Sequence, residues 1–376
     1  MKVPIADLHA QYLELETEIL ENIALVMKSG CFIDGENVQR LEEQIANECG
    51  AQFGVGVASG TDALVLSLRA CRIGAGDEVI TTPFTFGATT EAIALLGATP
   101  VYVDIDPCTF NLDVNQIEKA ITSRTKAILP VDLFGQMVDR DALRDLAARY
   151  NLKIIVDAAQ AIGAKRNGEK VAECADATTL SFYPTKNLGA CGDAGMVLTN
   201  NPEIADTLRS LHVHGQSSYG YFEQIGYCSR LDTLQAVILM AKLPHLNKWN
   251  EARRKNAALY HCLLNGKSLT LPGCEQGNYH IYHQYTIRHP ERDAIQEYLK
   301  ERGIDSKLFY PMPMHLQKAY AFLGYKEGDF PEAEKAAKEV LSIPIVPELS
   351  EVQISYVAEQ LCAYTDSRVN SAVPAA

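Results

Sequence analysis

Several features that would place the chain in a special class are missing from its sequence of 376 residues. No two of its 10 cysteines form a Cys-x-x-Cys pair, so no zinc site is expected. The cysteines are spread evenly through apolar segments, as is typical of reduced core cysteines. There is no internal repeat and no low-complexity segment. What remains is an ordinary globular composition, 47% hydrophobic and 22% charged, which allows a core of normal size.

Positive charge and long apolar runs are also scarce. The chain has 34 basic and 47 acidic residues, a net charge of −13, whereas a nucleic-acid partner would require a basic surface. No stretch reaches the ~18 apolar residues that a membrane span needs. The first residues, Met1 to Asp7, contain no apolar signal segment. We therefore expect a cytoplasmic protein with no nucleic-acid and no membrane partner, in which any anionic ligand is held by a local group of amides and cations.

Short apolar runs alternate with segments of helical period from residue 54 to about residue 200. This rhythm is typical of a parallel or mostly parallel sheet covered on both faces. After residue 230 long helices and short strands follow, which favours a smaller α+β domain. We therefore predict an α/β fold with an N-terminal segment 1–30, a large domain 31–245 with a mostly parallel mixed sheet sandwiched by helices, and a small C-terminal domain 246–376 that ends irregularly over 366–376. The strands predicted in the large domain are 54–58, 78–82, 99–103, 125–130, 153–156, 177–181 and 195–199.

An acid and a lysine are the most informative pair in the chain. Asp157 follows the apolar run 153–156 and so lies at the carboxyl end of a buried strand, where open α/β sheets bind ligands. Lys186 follows 29 residues later, in a loop that contains Gly189. A pyridoxal phosphate (PLP) enzyme needs such a pair, because the lysine forms a Schiff base with the cofactor aldehyde and the acid keeps the pyridine nitrogen protonated. Each residue also has a plainer interpretation, Asp157 as a helix cap and Lys186 as a surface lysine.

Further positions fit the same ligand. The run Ser59-Gly60-Thr61-Asp62 stands between a strand and a helix, and the free amides of a helix N-terminus bind phosphate. Ser181 could add a hydroxyl to that phosphate, and Phe86 could stack on a flat ring. Gln160, three residues after Asp157, could reach the same ligand. A simple helix cap and ordinary core packing of Phe86 stay open, so the order of these signals along one α/β domain carries the prediction.

These segments resemble those of the DegT/StrS-type nucleotide-sugar aminotransferases, a family of fold-type I PLP enzymes in the aspartate aminotransferase superfamily. The resemblance is carried by Gly60 to Leu64, Asp157 to Ala161 and Ser181 to Gly189, and it extends from Asp7 to Pro331. It implies a fold-type I PLP transferase whose segment 1–30 packs near the active site. It also implies PLP as cofactor, a nucleotide-linked keto-sugar and L-glutamate as substrates, and a homodimer with shared active sites.

The resemblance implies a role for each matching residue. Lys186 would be catalytic, because it would hold the cofactor and carry a proton between the amino donor and the sugar carbon. No metal is implied. The implied cofactor contacts are Gly60, Thr61 and Ser181 at the phosphate, Phe86 on the ring face, Asp157 at the ring nitrogen, Gln160 at the ring hydroxyl and Cys228 from the partner subunit; the implied substrate contacts are Arg230, Tyr310, His315 and Gln317.

The chain departs from the family pattern at three positions. Cys228 stands where the family usually has an asparagine that donates to the cofactor phosphate of the partner subunit, and cysteine is a poor donor. Asp132 stands where a histidine is common, and Ala194 where a glycine is frequent. None of these positions belongs to the acid–lysine pair.

The expected activity is transfer of an amino group from L-glutamate to a keto-sugar on a nucleoside diphosphate. The segments 229–236 and 310–317 resemble members that aminate C3 rather than C4, on a UDP- or dTDP-linked 3-oxo sugar, for lipopolysaccharide O-antigen, polysaccharide or glycoside synthesis. Arg230 could read a carboxylate or phosphate, or could form a structural salt bridge. One alternative is a PLP-dependent sugar dehydratase, in which histidine replaces the lysine, so that Lys186 argues against it. The other is a non-catalytic regulator of the same fold, which the intact Asp157, Gln160 and Lys186 disfavour.

Overall fold

The computed structural model describes residues 1–371, and its helices and strands are numbered here in chain order. The helices are α1 Leu8–Ser29, α2 Glu36–Cys49, α3 Gly60–Ala70, α4 Gly87–Leu95, α5 Val114–Ala120, α6 Arg140–Tyr150, α7 Pro202–Leu211, α8 Thr233–Lys242, α9 Leu246–Leu264, α10 Arg292–Glu301, α11 Pro331–Glu339 and α12 Glu351–Ser371. The strands are β1 Phe53–Val57, β2 Glu78–Thr81, β3 Thr99–Tyr102, β4 Thr125–Ile128, β5 Lys153–Asp157, β6 Lys165–Arg166, β7 Glu169–Lys170, β8 Ala177–Ser181, β9 Gly195–Thr199, β10 Gln216–Ser218, β11 Tyr221–Phe222, β12 Asn278–Tyr279, β13 Tyr285–Arg288 and β14 Val340–Ile343.

A seven-stranded sheet organises the N-terminal two thirds of the chain. Its strand order is β1-β9-β8-β5-β4-β2-β3, and β9 alone runs against the other six. The carboxyl ends of β1, β2, β5 and β8 therefore meet at one edge of the sheet. This is the mostly parallel mixed sheet that the sequence predicts.

The strand residues alternate between two apolar layers, as a period of two requires. Ile154 and Val156 of β5 pack on one face together with α2 and α6. Ile155, between them, packs on the other face together with α3, α4 and α7. Helices cover both faces, so most residues of the strands are buried, whereas Asp157 and Ser181 stand at the carboxyl ends of β5 and β8.

A separate apolar cluster holds the C-terminal part together. The antiparallel pair β13–β14 packs with α9, α10 and α12, and Val3 of the N-terminus is buried in the same cluster. The helix α1 instead packs on α8, through Leu15, Ile19 and Ile238. The domain boundaries at 30 and 245 stay predictions, although α9 begins at Leu246.

The structure agrees with the predicted strands to within two residues at each end, and it differs from the predictions elsewhere. The short strands β6, β7, β10 and β11 are absent from the predicted set. The irregular end predicted over 366–376 is wrong for residues 366–371, which continue α12, and residues 372–376 lie outside the described part. The cysteines are not mainly core residues, because six of the ten are exposed. Among residues 1–371, no helix combines the length and the apolar content that a bilayer crossing requires.

Candidate active site

A cavity of about 490 Å³ opens at the edge of the sheet where β1, β2, β5 and β8 end. It brings together side chains that are far apart in the sequence but follow neighbouring strands. The predicted site residues that line it are Gly60, Thr61, Phe86, Asp157, Gln160, Ser181, Lys186 and Tyr310.

Asp157, at the end of β5, is a buried acid held by two hydrogen bonds. Its Oδ2 accepts from the hydroxyl of Thr89 at 2.8 Å, and its Oδ1 accepts from the amide of Ala159 at 3.1 Å. The side chain is 5% exposed, and this burial raises the pKa of the Asp157 carboxyl above its usual value. A buried carboxylate is costly without a cation beside it, so the site is suited to a ligand that brings a positive charge.

Lys186 lies in the tight loop that follows β8. Its amide donates to the carbonyl of Tyr183 at 2.8 Å, and the amide of Ala190 donates to Phe182 at 2.8 Å, which closes the loop. The residue is half-buried and lines the cavity. Burial lowers the pKa of Lys186 to about 8, although the charge of Asp157 opposes this shift. A lysine of this kind is a nucleophile and a base near neutral pH.

The N-terminus of α3 forms one wall of the cavity. Ser59 caps the helix by accepting from the amide of Asp62 at 3.1 Å, so the first amides of α3 point towards the cavity. A Cβ added at Gly60 would lie only 2.7 Å from the Cβ of Ser181. The glycine therefore lets the helix end approach β8 closely enough for amides and a serine hydroxyl to hold one phosphate together.

Aromatic rings and Gln160 line the opposite wall. Gln160 Nε2 donates to the hydroxyl of Tyr310 at 3.1 Å, and Gln160 Oε1 accepts from the amide of Phe134 at 2.8 Å. Phe86 lies 6.4 Å from Tyr310, measured between ring centroids, and is 62% exposed. An exposed phenyl face beside a buried acid is suited to a flat heterocycle.

Four predicted site residues do not line this cavity. Cys228 and Arg230 are separate from it and contact each other, with the guanidinium 3.1 Å from the sulfur. His315 is 2% exposed and lies 3.1 Å from the carboxylate of Glu334. Gln317 donates to the carbonyl of Met312 at 3.3 Å. A role for any of them at the active site stays a prediction.

The cavity also contains residues that the sequence did not reveal. His283 and Gln284 line it and come from the segment before β13. Thr89 of α4 does not line the cavity but is buried and bonds to Asp157. Phe309, next to Tyr310, adds a further apolar wall. None of them stands in a recognisable motif. Only the position of Thr89, one helical turn after the end of β2 and its loop, could have suggested a contact.

The residues present fit PLP on three grounds that come from the structure itself. Within residues 1–371 the buried acid Asp157 forms no salt bridge, a helix N-terminus adjoins a serine hydroxyl, and a lysine with a lowered pKa lines the same cavity. Asp157 would hold the ring nitrogen, the start of α3 with Ser181 would hold the phosphate, and Lys186 would meet the aldehyde.

Comparison with known proteins decides the family. The model of the DegT/DnrJ/EryC1/StrS aminotransferase family matches residues 13–362. The chain belongs to this family. Relatives that share a high sequence identity with this chain carry quite different names.

Two curated relatives illustrate this range. A Geobacillus stearothermophilus protein named pleiotropic regulatory protein is 52% identical over 97% of this chain and 99% of its own length. The UDP-N-acetyl-3-dehydro-alpha-D-glucosamine 3-aminotransferase of Acidithiobacillus ferrooxidans is 46% identical over 95% of this chain and 96% of its own.

Solved structures of aminotransferase-family members share the whole fold. DesV of S. venezuelae, solved with a ketimine intermediate, superposes with a TM-score of 0.96 at 42% identity, over 97% of this chain and 99% of its own. The ntda protein of Bacillus subtilis, solved with bound cofactor PMP, superposes with a TM-score of 0.90 at 32% identity, over 97% of this chain and 85% of its own. PMP is the amino form of PLP. PLP is the cofactor of this aminotransferase-family chain.

Proposed function

We propose that the protein is a PLP-dependent aminotransferase that moves an amino group from L-glutamate to C3 of a keto-sugar on a nucleoside diphosphate. The observation that carries the proposal is one cavity that holds a buried acid, a lysine with a lowered pKa and a helix N-terminus. Each of these matches one part of PLP.

The cofactor, when bound, accepts electrons from the carbon next to the amino group and so makes that carbon acidic. Asp157 supplies the negative charge that keeps the ring nitrogen protonated. The amides at the start of α3 and Ser181 would fix the phosphate, and Phe86 would stack on the ring. Lys186, whose pKa is lowered to about 8, would take the proton from the donor carbon and deliver it to the product.

The sugar and the ring carbon are inferred from the relatives. The curated relative from Acidithiobacillus ferrooxidans is named as a 3-aminotransferase for a UDP-linked sugar. A relative in Pseudomonas aeruginosa, 40% identical over 96% of this chain and 99% of its own length, is named as an aminotransferase for a UDP-linked 3-oxo-glucuronate. These names favour C3 amination. A UDP-linked and a dTDP-linked sugar both stay candidates, because two further relatives, 43% and 42% identical, are named as transaminases for dTDP-linked 3-amino sugars. A cytoplasmic location and a role in O-antigen or other polysaccharide synthesis remain predictions from the sequence.

A homodimer with shared active sites is part of the same proposal. Loop 214–230 carries apolar side chains that this chain leaves exposed: Tyr219 is 98% exposed and Ile225 84%. The outer face of α1 is similar, with Leu13 at 54% and Leu25 at 63%. A second copy of the chain would cover these groups and bring Cys228 and Arg230 to the neighbouring cavity.

The decisive experiment is direct turnover. The purified PLP-loaded protein is incubated with L-glutamate and a panel of 3-keto and 4-keto sugars linked to UDP or dTDP, and 2-oxoglutarate release is followed. We expect release with a 3-keto sugar, and no release from Lys186→Ala with any sugar. Release with 4-keto sugars alone would overturn the assignment of C3, and equal turnover by Lys186→Ala would overturn the assignment of the lysine.

The name of the Geobacillus stearothermophilus relative keeps a regulatory function as the second candidate. A regulator that does not transaminate would bind PLP without releasing 2-oxoglutarate from any member of the panel. A sugar dehydratase is less well supported, because Lys186 is present in the cavity.

A further inference from the structure

A chain of buried amides lies behind Lys186 and reaches the cavity from a different direction. Asn250 of α9 donates its Nδ2 to the carbonyl of Ile162 at 3.1 Å, so its Oδ1 is free to accept from Asn187 Nδ2 at 2.7 Å. Asn187, the residue after Lys186, therefore presents its own Oδ1 to the Nδ1 of His283 at 2.8 Å. An amide oxygen only accepts, so His283 carries its proton on Nδ1.

The other ring nitrogen of His283, Nε2, consequently carries a lone pair and no proton. His283 is 6% exposed and lines the cavity together with Lys186. Within residues 1–371 its Nε2 has one polar neighbour, the Nε2 of Gln284 at 3.5 Å, a distance too long for a strong hydrogen bond. Gln284 also lines the cavity. His283 therefore keeps an acceptor nitrogen on a ring that lines the same cavity as Lys186, close enough for the charge of Lys186 to help lower the pKa of His283.

The charges around His283 keep it neutral. Burial, and after it the positive charges of Lys186 and Arg253, hold the pKa of His283 well below its usual value. Arg253 also donates to the backbone carbonyl of His283 at 3.4 Å. The ring therefore remains a neutral acceptor at physiological pH and does not compete with Lys186 for the proton.

We propose that His283 is a positioning residue for the transamination proposed above: the chain Ile162–Asn250–Asn187 fixes its tautomer so that Nε2 can accept from the ammonium that Lys186 forms during turnover. This inference rests on the proposed function. It assigns a partner to the catalytic lysine during the part of turnover in which Lys186 carries a proton.

The proton balance is simple. Lys186 takes a proton from the donor carbon and becomes an ammonium. Nε2 of His283 accepts one N–H of that ammonium as a hydrogen bond and takes no proton itself. Lys186 then gives the proton to the product and is neutral again, so His283 begins and ends the cycle unchanged.

Two substitutions of His283 distinguish the roles of its two ring nitrogens. In His283→Asn the side-chain amide can replace Nδ1 at Asn187, but nothing reaches the position of Nε2. In His283→Gln the amide oxygen can reach the position of Nε2. We expect kcat of the PLP-loaded His283→Asn protein to fall about tenfold with little change in KM, because Lys186 loses its support, and His283→Gln to recover most of the loss.

The pH profile of kcat gives a second readout. A bond to Nε2 stabilises the ammonium form of Lys186, so its removal lowers the pKa of Lys186. The acid limb of the kcat profile should therefore move to lower pH by about one unit in His283→Asn and stay in place in His283→Gln. His280 supplies the matched control: it is 2% exposed, stands three residues earlier, and does not line the cavity. His280→Asn should leave the limb unmoved.

The tautomer is measured without turnover, from the imidazole nitrogen spectrum of the PLP-loaded protein labelled with ¹⁵N-histidine. His283 should show a protonated Nδ1 and an unprotonated Nε2. A proton on Nε2, wild-type kinetics in His283→Asn, or equal losses in the Asn and Gln variants would each overturn the proposal. A wild-type protein with this tautomer but no transamination would instead overturn the proposed function.

Discussion

At the scale of single residues, burial shifts the pKa values of Asp157 and Lys186 in opposite directions. It raises the pKa of Asp157 and lowers the pKa of Lys186, so both groups favour their neutral forms more than they would in water. A cofactor that brings a cationic ring nitrogen to one and an aldehyde to the other relieves both costs. The site is therefore strained in its electrostatics until PLP is bound.

Asp157→Asn tests the acid. An amide cannot hold the ring nitrogen protonated, so kcat should fall by about 10²–10³-fold while PLP still binds at its phosphate. Asp176→Asn is the control, because Asp176 precedes β8 at the opposite edge of the sheet. Stopped-flow absorbance with L-glutamate measures the rate. An unchanged rate in Asp157→Asn would mean that another group holds the ring nitrogen.

The stability of the cofactor-free protein tests the lysine. The folded pKa of Lys186 is about 8 against 10.5 for an ordinary lysine, so the unfolded chain binds the extra proton between these values and stability rises with pH across that window. Below pH 8 the folded protein bears the full free-energy cost of burying the charged Lys186. Lys186→Met should therefore raise the free energy of unfolding at pH 7 by about 1–3 kcal/mol, a gain that shrinks towards pH 10.5.

Urea unfolding at a series of pH values measures the difference in the free energy of unfolding between Lys186→Met and the wild-type protein. Lys153→Met is the control, since Lys153 is an exposed lysine paired with Asp176 and has a raised pKa. A gain that is the same at every pH would show that the methionine stabilises by packing alone.

At the scale of elements, the phosphate site depends on how closely the start of α3 approaches the end of β8. Gly60→Ala places a Cβ 2.7 Å from the Cβ of Ser181, so the helix end must move away. We expect PLP to bind about tenfold more weakly as the amides of α3 and the hydroxyl of Ser181 separate. Equilibrium binding of PLP, followed by absorbance, measures the change.

Gly87→Ala is the matched control for this prediction. Gly87 is also the first residue of a helix, α4, and a Cβ added there meets nothing within 4 Å. This variant should bind PLP like the wild-type protein and be slightly more stable, because alanine restricts the unfolded chain. If both variants bound PLP equally weakly, the close approach of α3 and β8 would not be the cause of the weaker binding.

At the scale of the whole molecule, the exposed apolar faces of loop 214–230 and α1 predict a dimer with shared sites. Mixing two inactive variants tests this prediction. If Arg230 serves the cavity of the partner subunit, a heterodimer of Lys186→Ala and Arg230→Ala contains one intact site. Random reassembly should then restore about a quarter of wild-type turnover.

Refolding the two variants together and assaying 2-oxoglutarate release measures the recovery. The same variants refolded separately and then mixed are the control, since their subunits have not exchanged. No recovery after verified exchange would place Arg230 and Lys186 of the same chain at one site.

The sequence by itself determined the sheet and the residues at its strand ends. Short apolar runs and the turns after them are local signals, so β5 and Asp157, β8 and Ser181, and the start of α3 could be predicted. The Lys186 loop was found in the same way. The tertiary structure alone decided which distant residues complete the site: Thr89 on Asp157, and His283 through Asn187 and Asn250. These contacts join segments up to 96 residues apart, and a hydrogen bond between such segments depends on the packing of the whole chain, which no local pattern encodes.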